Sequence, residues 1–266
     1  MTRVLSGAAL GALAILAVWF SSPLVFFIVA EALLVLALTE YMSLARANGL
    51  VVSALPAGVA AMLTTAAFAR LAFGGVSWIP LDVVLMSAFV ALGALSLASW
   101  GGGNDALAGA SASLFPALYL GLPIGAMVAV RETRGREALF LLMLTVIVSD
   151  TAQYYTGRAF GRRKLAPAIS PKKTVEGAVG GFVFGGALLA VVGAWWLPGV
   201  PVGIRAVLGV AVVALGIAGD LFESMIKRSA GVKDSSSLIP GHGGILDRID
   251  ALLFAAPIYY IVLKYA

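Results

Sequence analysis

Residues 220–250 gather side chains suited to phosphate. Asp220-Leu221-Phe222-Glu223-Ser224-Met225-Ile226-Lys227-Arg228 closes a long apolar run. At 100° per residue, Asp220, Ser224 and Lys227 share a helical stripe about 60° wide, with Glu223 beside it. Leu221, Phe222, Met225 and Ile226 fall opposite. One face can therefore bind a cation and phosphate while the other packs. A Glu223–Lys227 ion pair at i,i+4, worth ~0.3–0.5 kcal/mol, would account for those two residues and leave Asp220 unexplained. Farther on, Gly241, Gly243 and Gly244 flank His242, the one histidine of the chain. Such a turn can offer backbone N–H groups to phosphate oxygens, and it leads into the N-terminus of the last helix. Asp247 and Asp250 lie one turn apart in that helix. Carboxylates and phosphates repel unless a divalent cation lies between them, so magnesium is the expected cofactor, with a second cation allowed for.

A second stretch supplies the basic side. It runs from Ser149-Asp150-Thr151 through Arg158, Arg162, Arg163 and Lys164 to Ser170-Pro171-Lys172-Lys173-Thr174-Val175-Glu176-Gly177. Lys172 and Lys173 are expected at a helix start after Ser170-Pro171, near free amides, which makes either a phosphate site or a basic patch for anionic lipid. Residues 150–178 and 220–250 together hold 17 of the 31 charged residues. A charge at the bilayer centre costs on the order of 2.5–3.5 kcal/mol, so Asp150 and Asp220, each at the end of an apolar run, need partners or a water-filled cavity. Glu31 and Glu40, in or near the second run, are read as interfacial or packing residues. Gly177, Gly181 and Gly185 form two GxxxG steps, which indicate close helix packing inside the subunit or between subunits of a homodimer.

The elements that must hold these groups are transmembrane helices. Of 266 residues, 61% are hydrophobic and 12% charged. That charged fraction is about half of what a soluble domain carries. Apolar runs fall at about 4–20, 24–45, 50–73, 81–98, 107–130, 137–156, 174–197, 202–226 and 245–265. They predict an all-α polytopic membrane protein with nine spans, or eight if the run broken by Pro116 and Pro123 does not cross. The first run follows Arg3 and lacks a convincing small-x-small cleavage site, so it is read as a retained helix. Residues 1–136 are expected to form a chemically quiet N-terminal region and 137–266 the region that carries the chemistry, within one membrane domain. Twelve of the 18 Lys and Arg residues fall on one side if the loop after the sixth run is cytoplasmic. The polar site is then expected at the cytoplasmic ends of the C-terminal helices, with the N-terminus inside and the C-terminus outside. The Arg131–Arg136 loop sits awkwardly on the outside. The net charge of +5 fits this bias and anionic lipid rather than nucleic acid. Zero cysteines exclude thiolate metal sites, disulfides and cysteine nucleophiles.

The run Ser224-Met225-Ile226-Lys227-Arg228, then Lys233-Asp234, then Leu238-Ile239-Pro240-Gly241-His242-Gly243-Gly244-Ile245-Leu246-Asp247-Arg248-Ile249-Asp250 resembles the pattern of phosphatidate cytidylyltransferases, the CDP-diacylglycerol synthases. The 150–181 stretch resembles the same family. Together the matches cover roughly the C-terminal 45% of the chain. Val175 stands where a tryptophan is common, and Ala152-Gln153 replace a small-residue pair; both departures are read as matters of packing. The resemblance implies an inner- or plasma-membrane enzyme that converts CTP and phosphatidate to CDP-diacylglycerol and pyrophosphate with magnesium. It implies that Asp220 and Asp247 hold the metal, with Glu223 and Asp250 as supports. Lys227 and Asp150 join the two metal carboxylates as catalytic groups, Asp150 as an orienting or second-metal carboxylate. Ser170, Lys172, Lys173, Ser224, Arg228, Lys233, His242, Gly243, Gly244 and Arg248 would hold substrate. The alternatives are a CTP-dependent cytidylyltransferase or kinase acting on an isoprenoid lipid, and, less in keeping with charges clustered at helix ends, a transporter.

Overall fold

The computed structural model describes residues 2–76, 79–103, 105–239, 241 and 243–266, with side chains from residue 7 onward. Among the described residues nine helices follow one another: α1 (Thr2–Phe20), α2 (Pro23–Ala47), α3 (Ala54–Ala66), α4 (Leu81–Ser99), α5 (Ala106–Arg134), α6 (Arg136–Phe160), α7 (Val175–Trp196), α8 (Val202–Ser229) and α9 (Leu246–Tyr265). Among the described residues, α2 and α4 to α8 are long and apolar enough to cross a membrane. The chain is a multi-pass, all-α membrane protein. The expected third span is shorter than its apolar run, because α3 stops at Ala66 and only a 3₁₀ turn, Leu71–Phe73, follows. Thirteen residues of helix rise only about 20 Å, less than the hydrocarbon core.

The run interrupted by prolines is one helix. Pro116, without an N–H to donate, is followed by a π-helical segment at Ala117–Gly121, after which α-helical bonding resumes. The Thr65 hydroxyl donates to the Gly121 carbonyl at 3.2 Å across this irregular stretch. The core built around it draws on every helix except α4, from Val18 in α1 to Leu263 in α9, while Ala88 and Leu92 of α4 pack in a smaller cluster with Ala60 and Ala117. Phe222 of α8 sits in an aromatic cluster with Phe115, Tyr119 and Phe254, its ring centroid 5.5 Å from that of Tyr119 and 5.2 Å from that of Phe254.

Three features place the site. First, α7 lies against α6 because glycines leave no side chain between them. A Cβ on Gly177 would stand 2.8 Å from the Gln153 carbonyl oxygen, and one on Gly181 would stand 2.7 Å from Gln153 Cγ. The GxxxG steps thus pack within the subunit. Second, α8 meets α9 where Gly219 leaves room for the backbone of Asp250. Third, an antiparallel hairpin of β1 (Lys164–Ala166) and β2 (Ser170–Thr174) stands between α6 and α7, pairing Lys164 with Thr174 and Ala166 with Ser170. Lys172 and Lys173 are therefore on a strand, not at the expected helix start. Pro171 disfavours helical backbone at Ser170. The helix begins only after Thr174, whose hydroxyl caps Gly177 N at 3.1 Å.

Arginines close the helix ends at the far side of the bundle. Arg131 donates to Val18 O at 3.0 Å and Ser21 O at 2.5 Å, Arg136 to Trp19 O at 3.0 Å, and Arg134 to Leu263 O. These carbonyls belong to the last turns of α1 and α9 or follow them, where no helical partner remains. The loop that looked misplaced by charge counting is thus spent on caps.

Candidate active site

Two ion-pair stations lie on one side of α8. At the first, Asp220 Oδ2 meets Lys173 Nζ of β2 at 2.6 Å, and Ser224 Oγ donates to Asp220 Oδ1 at 3.4 Å. Asp150 of α6 and Asp250 of α9 lie within electrostatic reach of Asp220. Gln153 donates to Asp150 Oδ1 at 3.0 Å, and Asp250 Oδ1 accepts from Ala251 N at 2.7 Å. Asp150 remains accessible although protein surrounds most of it. Seven residues along α8, about 10 Å, Lys227 forms the second station. Its ammonium pairs with Glu223 and lies 2.5 Å from Asp247 Oδ1. Glu223 is 0% exposed, so the i,i+4 pair exists but is no surface pair.

The turn after α8 wraps the second station. Asp247 Oδ2 lies 2.9 Å from Ser235 N, 2.8 Å from Ser235 Oγ and 2.7 Å from Gly244 N, all donors. Gly243 has φ +77°, and a Cβ there would stand 2.5 Å from Asp247 Oδ2. Gly244 has no room for a side chain against Ser235 and Glu40. A bridge from Ile239 N to Gly243 O at 2.9 Å closes the loop. Glu40 reaches this loop from α2, accepting from Ser235 Oγ, Ser236 Oγ, Ile245 N and Leu246 N at 2.7–2.9 Å.

The expected residues divide accordingly. Asp150, Lys173, Asp220 and Ser224 gather at the first station, and Lys227, Asp247, Gly243 and Gly244 at the second. Arg228 is exposed and braces the hairpin, donating to Ile169 O at 3.4 Å and Val232 O at 2.9 Å. Lys172, Lys233 and Arg248 are exposed, Arg248 within electrostatic reach of Asp150. Ser170 lies in the hairpin opposite Ala166, and His242 lies outside the described residues. Glu40, Ser235 and Gln153 were not foreseen as site residues. A carboxylate in an apolar run was the only signal for Glu40, and Gln153, taken for a packing change, touches Asp150 itself.

Asp220 and Asp247, expected to share one cation, are each paired with a different lysine. Among the described residues no three carboxylate or imidazole groups form a ready-made metal cage. The donors at the first station nevertheless fit a hard cation. Asp150, Asp220 and Asp250 offer only oxygens, and magnesium is typically held by one or two carboxylates plus substrate phosphates.

An all-α membrane bundle with lysines and carboxylates interleaved at one end defines a class: integral membrane proteins with a charged site at the end of the helix bundle. The chain belongs to the Cytidylyltransferase family, whose model matches residues 1–266. It is 48% identical to a phosphatidate cytidylyltransferase of Haemophilus influenzae over 131 residues, 46% of this chain and 45% of that protein. It is also 39% identical to the Aquifex aeolicus phosphatidate cytidylyltransferase over 151 residues, 56% of this chain and 54% of that one. With that of Mycobacterium tuberculosis the identity is 41% over 159 residues, 59% of this chain and 48% of that one. The chain thus matches about half the length of these curated relatives.

Proposed function

We propose that the protein transfers the cytidylyl group of CTP to phosphatidate, releasing pyrophosphate and forming CDP-diacylglycerol, at the cytoplasmic face of the cell membrane. The observation that carries this reading is the pairing of the charged first station with an apolar groove beside it. Asp150 faces the first station. Its neighbours Val148, Thr151, Ala152 and Tyr155, with Phe184 of α7, line a groove of about 490 Å³ on the outside of α6. A lipid phosphate can place its head at that station while its chains stay in the groove and the bilayer.

A phosphate oxygen of phosphatidate attacks the α-phosphorus of CTP. The new P–O bond forms as the bond to the β-phosphate oxygen breaks, and pyrophosphate leaves. The nucleophile comes with the substrate, so the protein contributes alignment and charge neutralisation. Lys173 can exchange its carboxylate for a phosphate, which frees an Asp220 oxygen. Lys227, fixed by Glu223 and Asp247, keeps a positive charge at the second station. A magnesium ion at Asp220, with Asp150 and Asp250 near it, would supply the remaining neutralisation of phosphate charge.

The test is turnover by the purified protein in detergent, with CTP, magnesium and a panel of lipid phosphates and lipid alcohols. Pyrophosphate release that depends on phosphatidate supports the proposal. Release with an isoprenoid phosphate alone changes the lipid, and CDP release with a lipid alcohol reassigns the protein as a kinase.

A further inference from the structure

Glu40 is the buried carboxylate that the proposed chemistry leaves without a task. It sits in the second half of α2, is 4% exposed, and comes from the region of the chain that reads as chemically quiet. Oε1 accepts from Ser236 Oγ at 2.7 Å and Ile245 N at 2.9 Å. Oε2 accepts from Ser235 Oγ at 2.9 Å and Leu246 N at 2.8 Å. Ile245 and Leu246 open α9, where backbone N–H groups lack helical acceptors and a negative charge is favoured. Glu40 is thus a cap supplied to α9 from another helix, and the same two oxygens hold both serines of the loop before it.

The consequence falls on Asp247. Ser235 is itself buried, at 7% exposed, and its hydroxyl lies within hydrogen-bond distance of Glu40 Oε2 and of Asp247 Oδ2. A hydroxyl has one proton, so the two carboxylates share it, and the Ser235 and Gly244 amides supply the other donors to Oδ2. With Oδ2 held on the loop side, the carboxylate cannot rotate, and Oδ1 stays turned to Lys227. We infer that Glu40 is a positioning residue for the transfer reaction, setting the orientation of Asp247 and the loop through Ser235. This rests on the function proposed above. It adds that the N-terminal helices contribute a specific group to the site.

The test compares Glu40→Gln, Ser235→Ala and Ser236→Ala in the full-length protein. Ser235 and Ser236 each give Glu40 one hydroxyl, but only Ser235 also reaches Asp247, so a purely structural role would penalise them alike. Buried partners that orient site groups typically change activity by about 10–100-fold when lost. Glu40→Gln is expected to lower kcat within that range, with KM for CTP changed by less than about twofold. Ser235→Ala should lower kcat by roughly tenfold and Ser236→Ala by no more than about twofold, and the Glu40→Gln/Ser235→Ala double variant should be no slower than Glu40→Gln alone. Hydrogen exchange supplies a readout independent of turnover: in Glu40→Gln, peptides covering 233–247 should exchange faster while those of α4 do not. Equal losses from the two serine variants, or wild-type kcat in both Glu40→Gln and Ser235→Ala, would overturn the inference. If the wild-type protein makes no pyrophosphate from CTP and phosphatidate, the function fails instead. The exchange result then decides the anchor, faster exchange at 233–247 supporting it and unchanged exchange refuting it.

Discussion

Adjacent residues on a strand point to opposite faces, and that geometry separates Lys172 from Lys173. Lys173 turns inward to Asp220, while Lys172 stands exposed on the hairpin. Lys173→Ala should lower kcat/KM by roughly two to three orders of magnitude, the usual result of removing a charged group that acts in the transition state. Lys172→Ala should cost far less, and steady-state kinetics of the two variants side by side will show it. Asp220→Asn keeps the shape and removes one charge, so it should nearly abolish turnover in the same assay without lowering the melting temperature. The types of these residues were legible from their positions at helix ends. Their partners were not, because a helical wheel describes one helix, whereas Lys173–Asp220 joins residues 47 positions apart through a hairpin that periodicity did not reveal.

At the level of elements, the α6–α7 contact depends on the absence of side chains. Gly177→Ala puts a methyl against the Gln153 carbonyl, a backbone atom that cannot swing aside. Overpacking of this kind costs about 1–3 kcal/mol. Gly186→Ala, with nothing within 4 Å of the new Cβ, should be neutral to slightly stabilising by helix propensity. Thermal unfolding in detergent, with activity followed in parallel, checks the pair. The nine helices were readable because hydrophobic runs of this length have few other solutions. The end of α3 and the hairpin were missed for a common reason: both depend on tertiary contacts and on local backbone restrictions that hydropathy does not register.

Across the whole molecule, the basic residues of the hairpin and of the loop after α8 should share one side of the membrane. The chain has no cysteine, so Arg163→Cys and Leu238→Cys each provide a single labelling site at an exposed position. An impermeant maleimide should reach both from the cytoplasm and neither from outside in oriented vesicles. Labelling of the two from opposite sides would be incompatible with the site, since the hairpin and that loop meet through Arg228.

The bond from Glu40 to the loop joins residues 195 to 206 positions apart, and this separation matters while the chain is being made. At about 5–20 residues per second, α2 leaves the ribosome some ten to forty seconds before Ser235, Ile245 and Leu246 exist. For that interval a carboxylate destined for burial has only water, head groups or the insertion machinery to satisfy it. The second helix is then expected to wait at the membrane surface or in the insertion channel until the last helix comes. Photo-crosslinking of nascent chains through a probe near residue 40 should show contact with that machinery persisting until the chain extends past residue 246, and ending early in a Glu40→Leu chain.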